Sequence, residues 1–180
     1  MFDTIFLDRD GTINGDPLGY INSLSDYHFY DYTFEALDIL KKYSKNFVIV
    51  TNQSGLAKGK LDINNLNEIH HFVREEFEKR DLNLRAIYFS QDYHEDFNSM
   101  RKPGIGMFLK AKEELDIDLK NSLMIGDSIV DIQAAERAEM KSIFLLSGQG
   151  KSYLEDVKRD YKPNLIARDL LHAAKEISSI

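Results

Sequence analysis

The sequence predicts an α/β fold: a three-layer sandwich in which a central parallel sheet lies between layers of helices. Three observations carry this. Short apolar runs rich in β-branched and aromatic residues recur, each unbroken rather than alternating, as in strands covered on both faces. Between them lie segments whose apolar residues repeat at helical spacing, so right-handed crossovers into one parallel sheet are expected. Polar residues then gather just beyond the runs, at the strand ends where such folds hold their ligands.

In chain order, the first strand is TIFLD (4–8), and Phe34, Leu37 and Leu40 mark a helix over 33–43. NFVIVT (46–51) is the second strand, followed by a helix over 63–80 whose Leu66, Ile69, Val73 and Phe77 share one face. AIYFS (86–90) is the third, with a helix over 105–115 carrying Phe108, Leu109 and Leu115. SLMIG (122–126) leads into a helix over 128–138 with Ile129, Ile132, Ala135 and Ala138, and KSIFLL (141–146) is the fifth strand. A last helix is expected over 169–178. Periodicity is weakest in 14–30, 53–61 and 91–104, which read as loops. With no internal repeat or linker, residues 1–180 read as one domain.

Composition narrows the function. The chain has 180 residues, 43% hydrophobic and 29% charged, with a formal net charge of −7. An acidic surface repels phosphate backbones and anionic lipid, so neither nucleic acid nor a membrane is expected as a partner. No run approaches a membrane span, and the chain opens straight into a strand. The absence of cysteine excludes disulfides, thiolate zinc sites and thiol nucleophiles. A cytoplasmic monomer is expected.

The chemistry gathers at the strand ends. Asp8 and Asp10 follow the first run, two apart and therefore on one side of an extended chain, and Gly11 allows a sharp turn. Thr51 and Asn52 follow the second run, Arg101 and Lys102 come from the loop after the third, and Asp127 follows the fourth. Asp131 lies one helical turn beyond Asp127. Carboxylates this close repel, a pair at 4 Å by roughly 4 kcal/mol at an effective dielectric near 20. A cation held by oxygen ligands relieves that, and Mg²⁺ suits such a set while leaving room for a substrate phosphate. An ammonium and a hydroxyl, Lys102 and Thr51, meet the spread charge of a phosphoryl group. An ionised aspartate can attack phosphorus without a base, and a second carboxyl can serve the leaving oxygen.

DxDGT, an apolar run ending in Thr, then Lys, then GDxxxD, in that order, resembles the haloacid dehalogenase-like phosphohydrolases, and the resemblance spans nearly the whole chain. It implies a Rossmann-like sandwich and a Mg²⁺-dependent phosphatase working through an aspartyl-phosphate. By that likeness Asp8 is nucleophile and metal ligand, and Asp10 is general acid/base and ligates through its carbonyl. Thr51 and Lys102 hold the phosphoryl group, Asp127 binds Mg²⁺, and Asp131 stands behind the ligands. FLDRDGTIN, GYI, VTNQSGLAKGK, RKPGIGM and MIGDSIVDIQAA further resemble the branch that removes the 7-phosphate of D-glycero-D-manno-heptose 1,7-bisphosphate. Its histidinol-phosphatase relatives tend to carry TNQDG where this chain has Ser54. Asp16, Gly19, Tyr20, Asn52, Gln53, Ser54 and Arg101 are then candidate contacts for a small phosphorylated sugar.

The chain departs from that pattern twice. Relatives commonly bind structural zinc through cysteines and a histidine before the Arg-Lys-Pro. Here Ser90, Asp92, Asn98 and Met100 stand at those places, so no zinc is expected. Ser128 stands where many relatives have lysine. No large cap domain fits between the motifs, so specificity falls to the loops. A phospho-accepting receiver domain uses similar residues, but with the lysine last in order. His70, His71, Glu75 and Glu76 read as a solvated helix face, and His94 as a surface residue. Lys58 and Lys60 are read equally as contacts to a distal phosphate or as solvent-facing. The aromatics of YHFYDYTF are expected to pack the first crossover.

Overall fold

The computed structural model describes residues 1–15, 19–92 and 97–180. Asp16 and His94 lie outside the described residues. Among those described, six parallel strands form one sheet: β1 (Ile5–Leu7), β2 (Phe47–Asn52), β3 (Leu84–Ser90), β4 (Leu123–Gly126), β5 (Lys141–Leu145) and β6 (Leu165–Ala167). The helices are α1 (Thr33–Leu40), α2 (Ile63–Glu78), α3 (Gly106–Leu115), α4 (Ile129–Arg137), α5 (Gly150–Asp160) and α6 (Leu170–Glu176).

The strand order is β3-β2-β1-β4-β5-β6. The chain winds outward from β1 to β3, then returns to lay β4 on the other side of β1. Ile5, Phe6 and Leu7 pair with Phe47, Val48 and Ile49 on one side and with Leu123, Met124 and Ile125 on the other. The winding reverses between β1 and β4, and a crevice opens beyond their carboxyl ends.

Alternation along the strands builds the layers. Ile5, Leu7, Ile49, Ile125 and Ile143 point to one face, packed by Leu37 and Leu40 of α1, Val73 and Phe77 of α2, and Ala173 of α6. Phe6, Val48, Val50 and Met124 point to the other, against Met107 and Phe108 of α3 and Ala134 and Ala135 of α4. Phe6 and Phe108 meet with ring centroids 5.1 Å apart at 60°, a tilted geometry worth about 0.5–1.5 kcal/mol beyond the area buried. Val157 of α5 closes the same side over Phe144 and Ile132. All five expected strands are present, each buried as an unbroken run should be, apart from the more exposed β3.

Two elements went unread in the sequence. In α5 the apolar residues Tyr153, Leu154 and Val157 are diluted by seven charged or small polar neighbours within GKSYLEDVKRD, and β6 is a three-residue edge strand. The expected solvated face of α2 needs correction at His70, which is only 6% exposed. It stands between Leu66 and Val73 on the buried stripe, so the helical period that identified those residues also placed it inside. His71 does face water and pairs with Glu75 at 3.4 Å, and Glu76 pairs with Lys79 and Arg80. The aromatics pack the crossover as expected, with Phe29 meeting Tyr27, Phe34 and Phe72 at centroid distances of 5.1, 4.7 and 5.9 Å. Among the described residues the loops after β1 and β2 hold turns and one short 3₁₀ turn (Leu24–Asp26), with no large cap domain.

Candidate active site

The end of β1 is fixed against β4 by the Asp8 N–H, which donates to the Ile125 carbonyl at 3.0 Å. The chain then turns sharply through Gly11 at φ +83°. A Cβ there would lie 2.3 Å from Asp127 Oδ2, so glycine is required both by the backbone and by the close approach of Asp127. The turn brings Asp8, Asp127 and Asp131 together, all buried, with one carboxylate oxygen of each within 4.8 Å of the others.

Lys102 occupies the inner side of this cluster and is 1% exposed. Its Nζ donates to Asp131 Oδ1 at 2.6 Å, Asp8 Oδ1 at 2.7 Å and the Val50 carbonyl at 2.8 Å, which uses all three protons. Asn52 pins its backbone: the Lys102 N–H donates to Asn52 Oδ1, and Asn52 Nδ2 donates to the Lys102 carbonyl, each at 3.0 Å. Asp131 has a second task, because its Oδ2 accepts the Ser128 N–H at 3.0 Å at the start of α4. A Cβ on Gly126 would fall 2.3 Å from that oxygen. Burial disfavours the ammonium, yet Asp131 and Asp8 together hold the Lys102 pKa above its ordinary value. Burial pushes Asp8 up to about 7; Lys102 opposes the rise, while Asp131 and Asp10 add to it.

Asp127 accepts the Gln149 N–H on Oδ2 at 2.8 Å and the Thr12 hydroxyl on Oδ1 at 3.4 Å. Asp10 turns its carboxylate elsewhere. Arg9 grips it with Nε at 3.0 Å and Nη2 at 2.8 Å, and Asn14 and Gln53 amides add bonds of 2.9 Å each. Burial raises the Asp10 pKa, but the Arg9 charge and these bonds outweigh it and leave the carboxyl below its usual range. Gln53 Nε2 also donates to Thr51 Oγ1 at 2.9 Å.

Four carboxylates, Asp8, Asp10, Asp127 and Asp131, thus share the site with two cations, Arg9 and Lys102. Among the described contacts the carboxylates outnumber the cations paired with them, which leaves negative charges in a poorly solvated place. A hard divalent cation cancels them, and an all-oxygen set fits Mg²⁺. Without cysteine the chain offers no thiolate for zinc.

A cleft of about 300 Å³ opens over the cluster. Of the sequence-expected residues, Asp8, Asp10, Gly19, Tyr20, Thr51, Asn52, Gln53, Arg101, Lys102, Asp127 and Asp131 line it. Ser54 does not; it lies beside Tyr20, whose phenol pKa is lowered by hydrogen bonds with Lys58 and then Ser54. The Tyr20 ring covers Gly55, where a Cβ would come within 2.6 Å of it. Gln149 and Tyr153 also line the cleft. Both belong to the start of α5, far from any motif, and went unread with that helix. Arg9 was missed too: it is 1% exposed, and its Nη1 reaches His70 Nε2 at 3.1 Å. An arginine between two aspartates at the end of an apolar run was the available signal, since a cation there must be paired inside.

A family model described as HAD-hydrolase-like matches residues 99–173. The D-glycero-alpha-D-manno-heptose-1,7-bisphosphate 7-phosphatase of Campylobacter jejuni is 36% identical over 172 residues, covering 96% of this chain and 95% of that protein. The chain belongs to the haloacid dehalogenase-like hydrolases, close to their heptose-1,7-bisphosphate 7-phosphatase branch. Another relative named as a hydrolase of this kind, the D-glycero-beta-D-manno-heptose-1,7-bisphosphate 7-phosphatase of Escherichia coli (strain K12), is 39% identical over 143 residues, 76% of this chain and 74% of that one. Among solved structures, the D,D-heptose 1,7-bisphosphate phosphatase of B. bronchiseptica, complexed with magnesium and phosphate, superposes with a TM-score of 0.84 at 28% identity, covering 98% of each chain. As a haloacid dehalogenase-like hydrolase of the phosphatase kind, this protein has in Asp8, Asp127 and Asp131 a cluster able to hold a divalent cation.

Proposed function

We propose that this protein removes the 7-phosphate of D-glycero-D-manno-heptose 1,7-bisphosphate, carrying the phosphoryl group transiently on Asp8. The observation that carries the reading is the buried carboxylate cluster gripped by Lys102 at the floor of the cleft. Asp8 and Asp127 would hold Mg²⁺ with the Asp10 carbonyl, and the ion would supply the charge that lets an anionic oxygen meet a phosphate dianion.

The chain's own groups do the rest. An Asp8 oxygen attacks phosphorus; the new P–O bond forms as the bond to the sugar oxygen breaks. The electron pair leaves on that oxygen, which takes a proton from Asp10; the carboxyl, held ionised by Arg9 in the free protein, gains that proton as the substrate's phosphate charge comes beside it. Asp10 then accepts a proton from water as it attacks the phosphorus, which frees inorganic phosphate and restores Asp8. The Thr51 hydroxyl offers a donor to the phosphoryl oxygens, and Lys102, its three protons held by Asp131, Asp8 and Val50, places its positive charge beside them. Tyr20, Gln53 and Arg101 are the candidate contacts for the sugar and its far phosphate, and Asp16 joins them by resemblance alone. We further take the protein to act as a cytoplasmic monomer, which fractionation and light scattering test.

The decisive assay offers both anomers of the heptose bisphosphate and histidinol phosphate to purified protein with Mg²⁺. A heptose anomer should give the highest kcat/KM, and chelation should stop turnover until Mg²⁺ is returned. Preference for histidinol phosphate would overturn the substrate. Full activity in Asp8→Asn would overturn the covalent route.

A further inference from the structure

The four hydrogen bonds on Asp10 are not equivalent. Arg9 and Asn14 approach from inside the protein, where both are buried. Gln53 lines the cleft, and its one amide nitrogen reaches both Asp10 Oδ2 and Thr51 Oγ1. That edge of the carboxylate therefore adjoins the hydroxyl beside the reacting phosphate. With four donors on four lone-pair sites the carboxylate has no free site for a proton. One donor must give way, and Gln53 is the one at the cleft.

The opposite edge is built to stay. The Arg9 guanidinium engages both Asp10 oxygens in a planar fork, which fixes the carboxylate plane as a single point charge would not. Its remaining nitrogen, Nη1, reaches His70 Nε2 at 3.1 Å. Burial, with the Arg9 charge beside it, holds the His70 pKa down to about 3, so the ring is neutral and Nε2 accepts. The Tyr27 ring lies 5.9 Å from the guanidinium carbon, and the Phe89 ring 5.6 Å from the imidazole. Arg9 is thus held at its far end by a helix that otherwise takes no part in the site.

We propose that Arg9, anchored by His70, is a positioning residue that aims the Asp10 carboxylate at the leaving oxygen. This rests on the reading of Asp10 as the acid and base of the reaction. His70 touches no reacting atom; it acts through Arg9, and Arg9 through Asp10. A misplacement of about 1 Å in such a group can cost 10²-fold in rate.

Removing Arg9 would strand a half-buried carboxylate, so the test uses His70. His70→Leu deletes the acceptor, whereas His70→Gln offers an amide oxygen in its place. Both are assayed on the phosphomonoester that the wild-type protein turns over best. His70→Leu should lower kcat at least about tenfold, with KM and the Mg²⁺ concentration for half-activity each within about twofold. His70→Gln should return kcat to within about threefold of wild type. A loss expressed in KM or in Mg²⁺ requirement would overturn the proposal, as would an unchanged kcat or a failure of glutamine to rescue. Failure of the underlying reading shows separately, as full kcat in Asp10→Asn or as no phosphatase activity in the wild type.

Discussion

Replacing Lys102 with methionine keeps the stem and removes the charge. The ammonium is buried and bonded to two carboxylates and a carbonyl. Breaking a buried ion pair by removing one partner costs about 3–5 kcal/mol, because the other charge is left uncompensated. For a chain of this size each kcal/mol shifts the melting temperature by about 2–4 °C, so metal-free Lys102→Met should melt about 6–20 °C below wild type. The deficit should widen with pH. Burial already raises Asp8 to about 7 with Lys102 opposing, and loss of the lysine raises it further. The folded state then keeps a proton that the unfolded chain releases, and stability is lost as pH rises through that higher folded pKa. Saturating Mg²⁺ should narrow the gap, since the variant has lost a cation that competes for the same oxygens. Urea titrations in chelator and in Mg²⁺, at pH 6 and pH 8, measure each part. Turnover should fall at least about 10²-fold. Stability in chelator within about 1 kcal/mol of wild type would refute the buried-pair account.

Other substitutions probe the remaining supports. Gly11→Ala puts a Cβ 2.3 Å from Asp127 Oδ2 at a φ of +83°, so the Mg²⁺ concentration for half-activity should rise at least about tenfold, while folding loses about 1–2 kcal/mol; a Mg²⁺ titration of activity reads the first and denaturation the second. His70, held near 3 when folded against 6.5 ordinarily, makes the unfolded chain the better proton acceptor, so wild-type stability drops as pH falls from 6.5 toward 3. Between pH 6.5 and pH 5 the wild type should lose about 1.6 kcal/mol more than His70→Gln, the slope approaching about 1.4 kcal/mol per pH unit only once the unfolded ring is fully protonated; parallel pH profiles would show that the ring is not held neutral. Asp131→Asn has one acceptor oxygen where Asp131 uses two, so its amide nitrogen must face either the Lys102 ammonium or the Ser128 N–H, and it should cost about 1.5–3 kcal/mol; Asp131→Ala, which loses both bonds, should cost about 1 kcal/mol more, both by urea titration.

Much of the architecture was legible because a strand buried on both faces writes an unbroken apolar run, as in FVIV of β2. The order of motifs along the chain brought Asp8, Thr51, Lys102, Asp127 and Asp131 to one rim. What stayed hidden was decided by partners far apart in sequence. Nothing near Lys102 announces that Asn52 clamps its backbone or that Val50 takes its third proton. Arg9 and His70 lie 61 positions apart, and their pairing depends on how α2 rests on the sheet. Polar α5 hid Gln149, although its N–H holds Asp127. The expectations at Asp16 and His94 fall outside the described residues.

Asp131 accepts the first free N–H of α4 with one oxygen and the Lys102 ammonium with the other. A single side chain therefore joins the winding of a helix to the aim of a catalytic-rim cation. Lengthening or shortening the turn before α4 by even one residue would break both at once, and a loop transplanted there must bring a carboxylate at the third helical position or lose the lysine's grip.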